Sequence, residues 1–277
     1  SRGRQTLHSE ESSRPRQPDA LPSPTPSRVR RAVIPPATVA MLLLAWQLVV
    51  AAGIVPNFLL PSPTQVVAAL ASDAALLADH AATTLAESVL GLLIGCAVGF
   101  AFAVLMDRFE IVYLAFSPLI TVSQTVPTVA IAPLLVLWLG YGLAPKVVLV
   151  VLTTFFPITV SLVSGFRSVD PDLIDLMRTM NATSAQIFWQ VKIPTAAEQF
   201  FSGLKISATY AIVGAVIAEW LGGFSGLGVY MTRVRKSFAY DRMFAVIALI
   251  SALSLALMGA VGAIQRICMP WKRAERK

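Results

Sequence analysis

Residues 171–194 read PDLIDLMRTMNATSAQIFWQVKIP, and this polar, helix-forming stretch decides how the chain can fold. A long apolar segment precedes it and another follows it. Asp170 is placed to cap a helix with Pro171 in its first position, and Asn181 can end that helix in a left-handed conformation. The helix would carry these side chains on its apolar face: Leu173, Leu176, Met177 and Met180.

The second half of the stretch predicts a second short helix after a tight corner. Ser184 is placed to cap this helix, and Pro194 marks its end, because proline disfavours a helical conformation in the residue before it. Its apolar face would consist of Ile187, Phe188 and Val191. Two such helices either offer an apolar ridge to a partner at the membrane surface or pack beneath their own bundle. The residues alone leave both interpretations open.

The composition indicates a polytopic membrane protein. Of the 277 residues, 56% are hydrophobic and 13% are charged, whereas soluble domains carry about 25% charged residues. Much of the net charge of +7 lies in the two ends of the chain, without a basic stripe that alternates with aromatic residues. We therefore expect membrane lipid and no nucleic acid as a partner. The two cysteines and two histidines stand apart, which predicts neither a metal site nor a cofactor.

Apolar segments predict an all-α protein with about six transmembrane helices. They cover residues 33–55, 81–106, 111–139, 146–166, 203–221 and 243–267. The expected regions are a disordered cytoplasmic tail at 1–31, the first transmembrane helix with an external amphipathic segment at 32–79, the main transmembrane domain at 80–267 and a basic cytoplasmic end at 268–277.

The distribution of Lys and Arg predicts that both termini are cytoplasmic. Most of the 22 basic residues then lie inside, although a cluster at residues 233–242 lies outside and opposes the rule. Residues 167–202 form the largest cytoplasmic loop in this arrangement, so the opening stretch faces the cytoplasm.

The third apolar segment predicts part of a translocation pathway. It contains three prolines and the polar run Ser123, Gln124 and Thr125. Because prolines leave backbone carbonyls without partners, a polar run beside them is expected to face a cavity rather than lipid. Tyr210 and Glu219 are further candidates for this pathway.

Glu87 and Glu219 lie within or at the ends of apolar segments, where ionisable residues point to function. Glu219 is expected either to line the mouth of the pathway or to pair with the basic residues just downstream. Those residues are Arg233, Arg235 and Lys236. A structural role for either acid stays equally open.

Gly91, Gly95 and Gly99 recur every fourth residue in the second segment, which predicts close packing against another helix. The sequence contains no G-x-x-x-x-G-K-[ST] motif, so the chain is not expected to hold ATP phosphates itself. It shows no nucleophile–base pair, which argues against an enzyme. It also shows no inverted repeat or mid-membrane coupling acids, which argues against a stand-alone secondary transporter.

The opening stretch resembles the signature of the transmembrane subunits of bacterial ATP-binding-cassette importers, the binding-protein-dependent type I permeases. That signature begins Glu-Ala-Ala, continues to a Gly and ends Ile-x-Leu-Pro. Asp175 stands at the Glu position, Leu176 and Met177 at the alanines, Asn181 at the Gly, and Val191, Ile193 and Pro194 at the end. SQTVPTVAIAPLLVLWLGYG and FSGLKISATYAIVGAVIAEWLGG also resemble this family.

The resemblance implies that residues 80–267 form the permease domain of a multi-pass protein in the bacterial inner membrane. Its cytoplasmic loop would contact a pair of separate ATP-binding subunits. The implied contact residues are Asp175, Leu176, Met177, Met180, Asn181, Val191, Ile193 and Pro194. An extracytoplasmic substrate-binding protein and a second permease subunit, in a homodimer, are the other implied partners. Members that carry thiamine-precursor pyrimidines or riboflavin look most similar, with sulfonate, taurine and nitrate permeases as the alternative.

Overall fold

The structure is a computed structural model that describes residues 28–270, of which side chains are described from residue 33. It contains helices and no strand in this part of the chain, which confirms the expected all-α class. The helices are α1 (Arg28–Ala51), α2 (Pro63–Ser72), α3 (Ala74–Arg108), α4 (Glu110–Ser123), α5 (Thr128–Leu139), α6 (Leu143–Arg167), α7 (Pro171–Thr179), α8 (Ser184–Ile187), α9 (Ile193–Gly222), α10 (Leu227–Lys236) and α11 (Tyr240–Cys268).

Some expected region boundaries differ from the helices. Residues 1–27 of the expected tail and 271–277 of the basic end lie outside the described residues. Helix α1 begins at Arg28, inside the stretch expected to be tail, since arginine favours helix almost as well as alanine. The expected boundary between residues 79 and 80 falls within α3, which already begins at Ala74.

The chain divides into two compact units, Ser1–Trp46 and Gln47–Lys277. In the first unit the structure describes most of α1, whose apolar part can cross a membrane. The second unit contains α2 to α11, and all of the sites discussed below belong to it.

Within residues 28–270, five helices are long and apolar enough to span a membrane, and α4 with α5 can form a sixth, bent span. The predicted third span is therefore not one continuous helix. Its two halves meet at an angle of 100° around residues 124–127. Pro127 causes the break, because it has no N–H to donate and disfavours a helical conformation at Val126.

Small residues allow the core helices of the second unit to approach closely. Ala208, Ala211 and Ala215 of α9 have no exposed surface and lie in one core with Val150 and Ile158 of α6. Helix α3 packs on α6 through its glycines and also contacts α9, and α11 packs on α9. Such close contacts replace the hydrophobic driving force that is missing between helices in lipid.

Candidate functional site

The α7 helix begins and ends as the sequence predicts. The Asp170 carboxylate accepts a hydrogen bond from the Asp172 N–H at 3.0 Å, and Pro171 occupies the first turn. Asn181 turns the chain with a left-handed φ of 57°. No residue of α7 is buried, so this helix does not pack beneath its own bundle within the described chain.

Two predictions for the second short helix are wrong. Thr183, not Ser184, caps α8, because its hydroxyl accepts from the Gln186 N–H while the Gln186 side chain accepts from the Thr183 N–H at 2.8 Å. Pro194 does not end the helix. The chain passes through a π-helical turn at Phe188–Lys192 into α9, where Pro194 lies in the first turn and needs no N–H partner.

The predicted ATPase-contact residues separate into an exposed and a buried group. Leu176 and Met180 are 56% and 71% exposed, whereas Val191 is only 8% exposed and packs inside the subunit. The remaining members are exposed or half-buried: Asp175, Met177, Asn181, Ile193 and Pro194. The Asp175 carboxylate forms an exposed ion pair with Arg178 at 3.2 Å, which contributes little stability.

An ion pair that the sequence did not predict ties this loop to the transmembrane helices. Lys192 donates to both oxygens of Asp107 at 2.7 and 2.9 Å, and both side chains are largely shielded. A cleft of about 700 Å³ lies beside the pair, between the end of α3 and the α7–α8 loop. Because 85 residues separate the two partners, no local pattern could have indicated them.

The predicted pathway residues do not share one surface. Ser123 is the last residue of α4, and the exposed residues Gln124 and Thr125 follow it in the break between α4 and α5. Tyr210 is 52% exposed on α9, whereas Glu219 on the same helix is 1% exposed. Glu219 therefore lies in the interior of the subunit.

A second cleft, of about 470 Å³, lies between α4 and α6. Its lining includes the hydroxyl groups of Ser117, Thr121 and Ser164. The Arg167 guanidinium lies 3.7 Å from the centroid of the Tyr113 ring at one side of this cleft. Hydroxyl groups beside an aromatic ring are suited to a small heterocycle, because they combine an apolar face with groups that fix orientation.

Buried side chains of α3 and α9 hold the first turn of α10. The N–H groups of Gly226, Leu227 and Gly228 donate to His80 Nδ1, Thr84 Oγ1 and Glu219 Oε2 at 2.9, 2.8 and 2.6 Å. The Thr84 hydroxyl also lies 2.7 Å from Glu219 Oε1. These contacts satisfy N–H groups that a helix start otherwise leaves without partners.

The predicted pairing of Glu219 with Arg233, Arg235 or Lys236 is wrong. The side chain faces the interior, where its partners are Thr84 and Gly228. The basic residue in the cluster is Lys146 of α6, which donates to Glu87 Oε1 at 2.6 Å and lies 3.5 Å from the Ser225 carbonyl oxygen. A loop and three long helices thus meet at one buried polar cluster.

Glycines permit the close approach of the loop to Glu219. Gly226 has a φ of +116°, and a Cβ there would collide with the Glu219 carboxylate. A Cβ on Gly228 would lie 2.9 Å from Glu219 Cβ and 3.0 Å from its Oε2. Side chains at either position would push the loop off the cluster.

Asp73, which directly precedes α3, also supports α10. The Tyr230 hydroxyl donates to the Asp73 carboxylate, which also lies 3.4 Å from Arg242. Burial and the neighbouring Asp73 carboxylate raise the pKa of the Tyr230 phenol above its usual value, so it remains a hydrogen-bond donor.

The glycines of α3 lie against α6 of the same chain. A Cβ on Gly91 would lie 2.5 Å from Val150, and one on Gly99 would lie 3.2 Å from Ile158. Gly95 faces Thr154 in the same row. The close packing that the spacing predicts is therefore placed within one subunit.

Comparisons with known proteins agree on one family. The family model described as "Binding-protein-dependent transport system inner membrane component" matches residues 89–267. A probable ABC transporter permease protein of Haemophilus influenzae is 38% identical over 227 residues, covering 82% of this chain and 93% of the relative. The formylaminopyrimidine transport permease protein ThiX of Halalkalibacterium halodurans is 35% identical over 249 residues, covering 90% and 99%. The riboflavin transport system permease protein RibX of Chloroflexus aurantiacus is 30% identical over 239 residues, covering 86% and 89%.

The solved structure of the MetNI methionine ABC transporter in an inward-facing conformation has a similar fold. A chain of it matches with a TM-score of 0.62 at 20% identity, covering 69% of this chain and 95% of that chain. At this identity the match concerns the fold alone.

Proposed function

Because the chain belongs to the family of binding-protein-dependent transport system inner membrane components, we propose that it forms the translocation pathway of an ATP-driven importer for a small organic solute. The family match over residues 89–267 carries this proposal. The chain is a transport subunit and not an enzyme, and a separate ATPase subunit hydrolyses ATP.

The α7 surface is the proposed contact with the ATPase. Its apolar residues Leu176 and Met180 are exposed, although the helix is capped and folded. The Asp107–Lys192 ion pair links the end of this loop to α3, so a displacement of α7 would be transmitted to a membrane helix. A pair of ATPase subunits inside, a receptor protein outside and a second copy of the permease complete the proposed assembly.

The membrane orientation follows the distribution of basic residues. Both termini are proposed to face the cytoplasm of a bacterium, with the protein in the inner membrane. The buried cluster around Glu219 then lies near the outer surface, because Lys146 stands close to the start of α6 and Glu219 close to the end of α9.

The proposed solute is a pyrimidine precursor of thiamine or a riboflavin-like heterocycle. Identities of 35% and 30% to permeases named for formylaminopyrimidine and riboflavin support this class. The cleft between α4 and α6 is lined by hydroxyl groups and by Tyr113, a combination suited to binding a small heterocycle. Sulfonate or taurine transport is the second candidate, since relatives carry those names and the exposed Arg167 guanidinium could hold an anionic group.

Uptake into vesicles that contain the permease, its ATPase and its receptor tests the solute class. Radiolabelled formylaminopyrimidine should accumulate only with ATP, and excess unlabelled pyrimidine should suppress the signal while taurine does not. Failure of the labelled pyrimidine to accumulate, while radiolabelled taurine accumulates with ATP, would reject the heterocycle. ATP-independent accumulation would reject the importer itself.

A further inference from the structure

Two carboxyl groups and one lysine share a site that water scarcely reaches. The Lys146 and Glu87 side chains are 5% and 4% exposed, and Lys146 Nζ lies 2.6 Å from Glu87 Oε1. Glu219 is 1% exposed, and its carboxyl group lies 2.7 Å from the hydroxyl of Thr84, which precedes Glu87 by three residues on the same face of α3. If both acids were ionised, the three groups would carry a net charge of −1 in an interior that disfavours any unbalanced charge.

One oxygen of this cluster lacks a hydrogen-bond donor. Glu87 Oε2 is buried, and within residues 33–270 no donor reaches it. The neighbouring polar groups are already engaged, since the N–H groups of Gly226, Leu227 and Gly228 donate to His80, Thr84 and Glu219. Arg233 of α10 donates to the Phe224 carbonyl oxygen. A protonated Glu219 carboxyl group could supply the missing hydrogen.

We infer that Glu87 and Glu219 share one bound proton, so that the pair carries a single negative charge that Lys146 balances. Two carboxylates in one buried cluster repel each other, which favours protonation of one of them. The shared proton gives Glu87 Oε2 the hydrogen bond that buried oxygens normally have. The proton belongs to the pair and not to either residue alone.

This neutral trio holds four elements together. Glu87 belongs to α3, Lys146 to α6 and Glu219 to α9, and Glu219 also accepts from the first turn of α10. The pair is thus a proton-binding site beneath the loop that joins α9 to α10. Binding of the proton at this site does not depend on which solute the permease carries.

Infrared spectroscopy of the full chain, reconstituted in lipid, detects the proton directly. The wild type should show a carbonyl band of a protonated carboxylic acid that shifts in D2O. The band should disappear in both Glu87→Gln and Glu219→Gln, because the remaining acid then ionises against Lys146. Asp107→Asn, which removes an acid paired with Lys192, is the matched control and should keep the band. Absence of the band from the wild type, or its persistence in both single variants, would overturn the shared proton.

Thermal unfolding provides a second readout. Each single Gln variant retains one acid for Lys146 and should melt near the wild type. The double variant Glu87→Gln/Glu219→Gln leaves Lys146 unbalanced and should melt at a much lower temperature, and adding Lys146→Met should restore much of the loss. A single variant that melts as low as the double variant would contradict the charge balance.

Discussion

Replacing Leu176 and Met180 together by glutamine should weaken binding of the ATPase to the permease. Glutamine forms helices nearly as well as leucine and methionine, so α7 should keep its shape. The change mainly removes solvent-exposed apolar surface, because the Leu176 and Met180 side chains are 56% and 71% exposed. Membrane insertion and thermal stability of the permease alone should therefore stay close to the wild type.

The expected loss of binding free energy follows from the exposed surface of Leu176 and Met180 that the ATPase would bury. Complete burial of a leucine or methionine contributes roughly 1.5–3 kcal/mol, so the exposed parts of these two contribute about 1–2 kcal/mol each. Together they amount to about 2–4 kcal/mol. A tenfold change in affinity corresponds to about 1.4 kcal/mol, so the dissociation constant should rise about 30- to 700-fold.

The measurement is a titration of the purified ATPase onto the permease in lipid nanodiscs. Ile267→Gln serves as the control, because Ile267 is 77% exposed and belongs to a different helix, in the last turn of α11. The control should bind like the wild type. Wild-type affinity of the Leu176/Met180 variant would refute the proposal that this surface docks the ATPase.

Three other predictions concern packing, the pathway and orientation. Gly95→Leu should lower the melting temperature, since a Cβ there would lie 3.3 Å from Thr154 Cβ and overpacking costs about 1–3 kcal/mol. Gly259→Leu is the control, because a Cβ at Gly259 meets nothing within 4 Å. Equal melting temperatures of the two variants would refute the packing role of Gly95. Gln124→Leu should reduce solute uptake at unchanged protein abundance, because it removes a polar group from the α4–α5 break; normal uptake would assign Gln124 to structure alone. In a background without Cys96 and Cys268, single cysteines at Ser13 and Arg276 should resist a membrane-impermeant thiol reagent in intact cells, and rapid labelling of either would contradict cytoplasmic termini.

Local patterns in the sequence determined the helical class, the apolar segments and much of the loop between α6 and α9. Asp170, Pro171 and Asn181 act within a few residues of themselves, so their roles as cap, first residue and corner could be predicted. The π-helical turn before Pro194 could not be predicted, because a residue before proline disfavours a helical conformation and Ile193 is nevertheless helical.

The buried cluster depended on tertiary structure. The sequence marked Glu87 and Glu219 as unusual acids in apolar surroundings but gave no sign that Lys146 and the N–H groups of α10 would reach them. Thr84 and Leu227 are 143 residues apart, and partners at such distances are chosen by helix packing rather than by spacing. Charge and composition were therefore sufficient to place this chain in a membrane. The partners of its buried charges could be identified only from the tertiary structure. A buried carboxylate must be neutralised by neighbouring groups, and helix packing decides which groups are its neighbours.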